Sequence, residues 1–232
     1  MNFPGPLRDI LRGRNAPPGN GTATPAYALR PPSAPRKGGE EAMARPSRGL
    51  EEFFANIRGQ SGLTILELGG ATQQNVSFIT NLGHRLYSLD FLQVLDETFG
   101  DSKVDQSNPG RIEFFLRQTL DHPDEHFDAV LIWDVLEYME PPLLAAVVDR
   151  LRQIVRPKSY LLAFFHSEDK LEPVPVHTFR IQSVNALQVA QRGSRVPAQL
   201  FNNRGVEKLF GKFESVKFFL ARDRLREIIV KA

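Results

Sequence analysis

The sequence predicts an α/β fold, a three-layer sandwich around a mostly parallel, seven-stranded sheet that ends in an antiparallel hairpin. Runs rich in β-formers alternate with runs at helical spacing, and the first of them form a strand, glycine turn, helix, strand unit over residues 63–90. Residues 127–134 are an apolar run bounded by acids, which is typical of a strand at the centre of a parallel sheet. Two short β-prone runs joined by a turn close the chain, as expected for a hairpin at a sheet edge.

The composition is that of one globular domain, with 232 residues of which 41% are hydrophobic and 24% charged. The chain has no cysteine, which excludes disulfides, thiolate nucleophiles and cysteine-bound metals. It contains no apolar run of roughly 18 residues, and its start lacks the apolar stretch of a secretory signal. We therefore expect a cytoplasmic protein without a membrane span.

The first 48 residues differ in composition from the rest. They contain eight Lys and Arg side chains against three acids, and nine of the 17 prolines. A segment without periodic apolar residues buries too little surface to offset the entropy of ordering it. We predict a disordered basic arm over residues 1–48 and one folded domain over residues 49–232. Since the chain carries +2 and the arm +5, the folded domain carries −3.

Capping and glycine signals place the elements of the first half. Ser47 is a suitable cap for a helix through Ile57, whose apolar stripe includes Phe53 and Phe54. The next elements predicted are a strand over 63–68 that stops at Gly69-Gly70, a helix over 73–82, a strand over 85–90, a helix over 91–99 and a polar loop over 100–110.

The second half continues the alternation. Residues 112–120 have helical spacing, but the topology requires a third strand here, so we predict a helix that ends in a very short strand over 118–120. Pro141-Pro142 begins a helix, because proline is tolerated in a first helical turn. The remaining predicted elements are a strand over 127–134, a helix from 141 to 155, a strand over 160–165, an irregular insert over 167–200 with one strand at 178–183, a helix over 202–210, and strands over 216–222 and 225–230.

Three strand ends are candidate binding positions, since ligands of open α/β sheets bind beyond the carboxyl ends of the strands. They are at residues 67–75, 90–91 and 133–138. Gly69 and Gly70 would allow close backbone approach to a ligand, and Asp90 would accept both hydroxyls of a ribose. Together these residues suit a nucleoside. The alternatives are a plain tight turn for the glycines and a helix cap for Asp90.

Four segments resemble motifs of the class I S-adenosylmethionine-dependent methyltransferases, which have a Rossmann-like fold. Glu67-Leu68-Gly69-Gly70 is similar to the acid and glycine turn of the first motif. Leu89-Asp90-Phe91 is similar to the acid that ends the second strand of that fold. The segments 127–138 and 155–159 are similar to the later motifs, so the resemblance extends through most of the folded domain.

The resemblance implies a cofactor, S-adenosyl-L-methionine, and a role for each motif residue. Glu67 would bind the amino group of the methionine moiety, Asp90 the ribose and Phe91 the adenine ring. Gly69 and Gly70 would let the chain pass beneath the ligand. Gln118, or else Thr119, would bind the adenine amino group in place of the acid usual in the family.

The resemblance also implies an acceptor site beside the fourth strand end. The methyl donor is already activated, so the protein supplies alignment and, for some acceptors, a base. Asp134 and Tyr138 are the candidate catalytic residues, with Glu137 between them. The alternative is that Asp134 caps a turn and Tyr138 packs in the core. The insert 167–200 would cover the acceptor, and His166 and His177 would line its pocket.

The function predicted in this way is methyl transfer to a small-molecule or protein acceptor. The alternative is a noncatalytic binding or scaffold protein, because Ala71-Thr72-Gln73-Gln74 stands where the family repeats glycine and Pro157-Lys158-Ser159 lacks both glycines of the later motif. A nicotinamide-dependent oxidoreductase is a third reading, but its glycine fingerprint is missing. We expect no nucleic acid partner, because the folded part is acidic. We also expect no metal, since Pro123 interrupts the His-rich loop 121–126.

Overall fold

A six-stranded sheet forms the centre of the computed structural model, which describes residues 43–100, 105–168, 170–219 and 223–232. The strands of the described residues are β1 (Met43–Pro46), β2 (Thr64–Glu67), β3 (Arg85–Ser88), β4 (Phe127–Trp133), β5 (Val155–His166), β6 (Val174–Ser183), β7 (Ala186–Arg195), β8 (Ser215–Phe219) and β9 (Leu225–Lys231). The central sheet has the order β3-β2-β4-β5-β9-β8. Strands β3, β2, β4 and β5 are parallel, while β9 and β8 form the closing antiparallel hairpin.

Most helices begin at a side chain that accepts a hydrogen bond from the first turn, as helix starts require. Ser47, Thr72 and Asp90 cap the first three helices in this way. No helix in the described ranges combines the length and the apolar character needed to cross a membrane. The helices are α1 (Arg48–Asn56), α2 (Gln73–Asn81), α3 (Phe91–Phe99), α4 (Pro109–Thr119), α5 (Pro141–Ile154) and α6 (Asn203–Leu209).

The central strand β4 divides the core into two layers, because successive side chains of a strand point to opposite faces. Val130 and Ile132 pack with the buried residues of α3, α4, α5 and α6. Leu131 and Trp133 pack on the other face with the buried residues of α1 and α2. The fold is therefore the α/β sandwich that the sequence predicts, with apolar layers on both sides of the sheet.

The insert after β5 is regular, contrary to the prediction of an irregular segment with one strand at 178–183. Strands β6 and β7 form an antiparallel hairpin, and β1 pairs with β7, so the three make a second sheet of order β1-β7-β6. The predicted arm over 1–48 is also wrong at its end. Met43–Pro46 forms β1, and Ser47 and Arg48 begin α1. The rest of the arm lies outside the described residues.

The third predicted strand, over 118–120, is absent from the structure, and the central sheet has six strands among the described residues instead of seven. Helix α4 continues through Thr119, and the amide of Leu120 still donates to the carbonyl of Leu116 at 2.7 Å. The helical spacing of residues 112–120 therefore predicted the structure correctly, and the expected strand order did not. Part of the predicted loop 100–110 and the end of the predicted strand 216–222 lie outside the described residues.

Candidate functional site

The carboxyl ends of β2 and β3 bring Glu67, the glycine turn and Asp90 together. Gly69 and Asp90 form an isolated bridge between the two strand ends. The amide of Gly70 donates to the carbonyl of Leu89 at 3.0 Å. Gly70 has a φ of 88°, and a Cβ added there would lie 3.2 Å from the Cβ of Asp90. Glycine is therefore needed for this close approach.

Glu67 is a fully buried carboxylate whose two oxygens are hydrogen-bonded within the protein. Its Oε1 accepts from Asn75 Nδ2 at 2.6 Å and from Trp133 Nε1 at 3.1 Å, and its Oε2 accepts from Ser88 Oγ at 3.1 Å. Burial raises the pKa of Glu67, and the three hydrogen bonds oppose this rise. The side chain thus joins β2, α2, β3 and β4 at one point.

Trp133 occupies the space beside the glycine turn. Its backbone has a φ of 60°, unusual for a residue with a bulky side chain. A Cβ added at Gly69 would overlap the indole. The indole stacks on Phe179 of β6 with ring centroids 4.9 Å apart. Gly69 therefore accommodates this ring, a role that the sequence pattern did not indicate.

Asp90 has two partners. One oxygen caps α3 by accepting from the amide of Gln93 at 3.2 Å, as the alternative reading of the sequence had it. Arg192 of β7 donates Nη1 to Oδ2 at 2.6 Å and Nη2 to Oδ1 at 3.3 Å. Arg192 is 102 positions away along the chain, so no local pattern could have revealed this contact.

The structure places the two residues assigned to adenine apart from these polar contacts. Phe91 is fully buried, and its ring packs edge-on against Phe115 at 4.9 Å between centroids. Gln118 lies on the exposed side of α4.

After β4, the carboxylates of Asp134 and Glu137 each contact a histidine. Asp134 Oδ2 accepts from the backbone amide of His177 at 3.2 Å and lies 3.1 Å from its Nδ1. Glu137 Oε2 accepts from the amide of His166 at 3.0 Å, and its Oε1 contacts His166 Nδ1. The two imidazoles stack with centroids 5.6 Å apart.

Burial and pairing act in opposite directions on the pair formed by Glu137 and His166. Burial raises the pKa of Glu137, although the hydrogen bond from His166 opposes the rise. Burial alone would lower the pKa of His166, but its hydrogen bond and charge interaction with Glu137 raise that pKa overall. Tyr138 is buried with an unpaired hydroxyl among the described residues, and burial raises its pKa, so its phenol stays neutral.

A cavity of about 310 Å³ opens beside the two imidazoles. Its wall includes His166, His177, Arg45 and Asp223 together with residues 172–175 of the insert. The Nε2 of His166 is buried and has no hydrogen-bond partner within the described part of the chain. Both imidazoles that the sequence analysis assigned to an acceptor pocket line this cavity.

An open, mostly parallel sheet with acids at two adjacent strand ends and a glycine turn between them is a Rossmann-like α/β fold, in which ligands bind at the strand ends. Residues 66–163 match the family model described as a methyltransferase domain. This match confirms the resemblance to the class I S-adenosylmethionine-dependent methyltransferases that was read from the sequence, and it supports the enzyme class that the resemblance implies.

Similar solved structures include a methyltransferase from Archaeoglobus fulgidus, with 14% identity, a TM-score of 0.47, and 79% of this chain and 91% of that one covered. Another is the 1,6-didemethyltoxoflavin-N1-methyltransferase of Burkholderia thailandensis, with 10% identity, a TM-score of 0.44, and coverage of 79% and 76%. The assignment rests on the family model, since these values are too low to add to it. No curated protein sequence matches this chain.

The crevice as it stands does not fit the adenosyl ligand of the family. The carboxylate assigned to the ribose is bound to Arg192, and the oxygens of Glu67 are taken by Asn75, Ser88 and Trp133. The indole of Trp133 also fills the space against Gly69. A ligand at Asp90 therefore requires that Arg192 leave first.

Proposed function

We propose that the chain is a methyltransferase that uses S-adenosylmethionine and acts on a small-molecule or protein acceptor after Arg192 has left Asp90. The observation that carries the proposal is the family match over residues 66–163, which includes both Glu67 and Asp90. Asp90 would hold the ribose hydroxyls, because it stands at the end of β3 beside a glycine turn. Asp134 would act on the acceptor side through His177, which it orients.

Calorimetry with S-adenosylmethionine and S-adenosylhomocysteine tests this proposal. We expect both ligands to bind, and we expect Asp90→Ala to abolish binding because the ribose loses its acceptor. Asp96→Ala is the matched control, since Asp96 lies on the same helix and pairs with Arg195 of the same strand β7. The proposal fails if neither ligand binds to the wild-type chain or to the variant Arg192→Ala.

A noncatalytic binding protein is the second candidate, and a specific observation favours it. The groups that the resemblance assigns to the cofactor already have partners within the protein, and Trp133 stacks firmly between Gly69 and Phe179. In a protein that no longer binds the cofactor, these contacts would serve only to stabilise the core. The same calorimetry decides between the candidates, because such a chain binds neither adenosyl ligand under any condition.

A further inference from the structure

We propose that the cavity beside His166 and His177 is a binding site for a small uncharged molecule that has an apolar body and an oxygen atom able to accept a hydrogen bond. The cavity is separate from the crevice at the ends of β2 and β3, because its lining includes neither Glu67 nor Asp90. The proposal goes beyond the proposed function and does not depend on an adenosyl ligand.

The cavity lies where the second sheet meets the central one. His166 is the last residue of β5 in the central sheet, and His177 belongs to β6 in the second sheet. The apolar part of the wall consists of Met43, Pro173, Val174, Pro175 and Leu225. The volume of about 310 Å³ is at the lower end of the roughly 300–1,000 Å³ that ligand pockets span, so the cavity suits a small ligand with an apolar body.

His166 brings an unpaired hydrogen-bond donor to the wall. Its Nδ1 contacts Glu137, and its Nε2 has no partner within the described residues. The side chain is 5% exposed, so bulk water has little access to that nitrogen. Although burial lowers the pKa of His166, the hydrogen bond and the charge of Glu137 raise it overall, which favours a hydrogen on both ring nitrogens. A ligand oxygen that accepts from Nε2 would remove the cost of leaving this donor unpaired.

The two imidazoles are held in place by contacts within the protein. They stack with centroids 5.6 Å apart. Asp134 accepts from the backbone amide of His177 at 3.2 Å and lies 3.1 Å from its Nδ1. Glu137 accepts from the backbone amide of His166 at 3.0 Å. Because these polar groups are already fixed, a ligand that binds to them loses less free energy in ordering the site.

The charges of the wall favour an uncharged ligand. The wall has three carboxylates, those of Glu168, Glu172 and Asp223, and two guanidiniums, those of Arg45 and Arg224. Arg45 donates to Asp223 at 2.5 Å. Arg224 donates to Glu168 at 3.2 Å, so both guanidiniums are already paired. An anionic ligand would therefore meet more negative than positive charge, and an ammonium ligand has no lone pair to accept from the buried imidazole.

The test compares three probes of similar size, benzamide, benzoate and toluene, by NMR titration of the full chain with isotope-labelled histidine. Benzamide is uncharged and has an acceptor oxygen, benzoate is an anion, and toluene has no acceptor. We expect benzamide to bind about fivefold more tightly than toluene, since one hydrogen bond to a buried donor separates them, and more tightly than benzoate. The Nε2 signal of His166 should shift with benzamide, while that of His126, which lies outside the cavity, should not.

The variant His166→Phe tests the donor itself, because phenylalanine keeps a ring at this position and has no nitrogen. We expect the affinity for benzamide to fall about fivefold, to that of toluene. His126→Phe is the matched control, since His126 lies in the loop before β4 and does not line the cavity. We expect the affinity of this control for benzamide to equal that of wild type.

The titration of wild type needs no substitution, so it decides the question even where His166→Phe does not fold. The proposal is overturned if toluene or benzoate binds as tightly as benzamide, if no probe binds, or if benzamide leaves the Nε2 signal of His166 unchanged. None of these outcomes bears on the proposed function, which calorimetry with the adenosyl ligands tests separately.

Discussion

At the scale of single residues, Glu67 predicts how stability depends on pH. Its folded-state pKa is raised by burial, so folding favours the protonated form. The stabilisation is complete below the unfolded pKa of 4.5 and is lost as the pH rises through the raised folded pKa, by about 1.4 kcal/mol for each unit between the two. We expect Glu67→Gln to remove this pH-dependent loss of stability, because glutamine does not ionise.

Glutamine suits the position because its Oε1 can still accept from Asn75 and Trp133 while its amide donates to Ser88 Oγ. The measurement is the free energy of unfolding from pH 4 to pH 8 in wild type and variant. The difference between the two should shift in favour of the variant as the pH rises. A constant difference across this range would show that Glu67 ionises as freely in the folded chain as in the unfolded one.

Sequence analysis located only those residues of the candidate site that directly follow a strand. Glu67, Gly69 and Asp90 were found because an acid or glycine after a β-prone run marks a strand end, and parallel strand ends share one edge. The sequence places Trp133 at the end of β4, but it gives no sign that the indole packs against Gly69. Arg192 gave no signal, because its role depends on a bulge and on a partner distant in sequence.

At the scale of elements, Asn75 connects α2 to the hairpin and to Glu67. Its amide donates to the carbonyl of Phe179 at 2.9 Å and accepts from the amide of Ile181 at 2.7 Å. Asn75→Ala would leave these two buried backbone groups without this partner and would remove one of the three hydrogen bonds to Glu67. We expect it to destabilise the chain by roughly 2–4 kcal/mol, since each unsatisfied buried group costs about 1–3 kcal/mol.

Gln74→Ala provides the matched control for Asn75→Ala. Gln74 is the preceding residue of α2 and makes a single bond to the hairpin, from its Nε2 to the carbonyl of Ile181 at 3.0 Å, from a half-exposed position. Chemical denaturation should give a loss below about 1 kcal/mol for this variant. Equal losses in the two variants would contradict the role assigned to Asn75.

The elements that sequence reading missed are those whose partners are distant. Strand β1 pairs with residues of β7 at least 140 positions later, and its four residues carry no alternation that would separate them from the arm. The opposite error occurred at 118–120, where a strand was expected from the topology although the helical spacing already accounted for the buried Phe115. Local periodicity was reliable, and expectations about sheet composition were not.

At the scale of the whole molecule, a buried network joins the second sheet to the central one. Glu227 of β9 is 2% exposed and pairs with Arg45 of β1. The other oxygen of Glu227 accepts from Ser47 Oγ at 2.9 Å and from the amide of Gly49 at 2.5 Å. Gly49 is required here, because a Cβ at this position would lie 2.9 Å from that oxygen. One carboxylate therefore fixes β1 and the start of α1 against the far end of the chain.

This network predicts that Glu227→Ala destabilises the chain by about 3–5 kcal/mol, because removal of one partner leaves Arg45 buried with less compensation. Glu113→Ala is the control, since Glu113 pairs with Arg117 where both side chains are more than 60% exposed, and exposed pairs contribute about 0–1 kcal/mol. Urea unfolding measures both losses. Glu227→Gln, which keeps the shape and can still accept hydrogen bonds, should lose less than Glu227→Ala. If Glu227→Ala loses no more stability than Glu113→Ala, apolar packing and not the buried network holds the two sheets together. The relative losses of the three variants therefore distinguish the buried network from apolar packing.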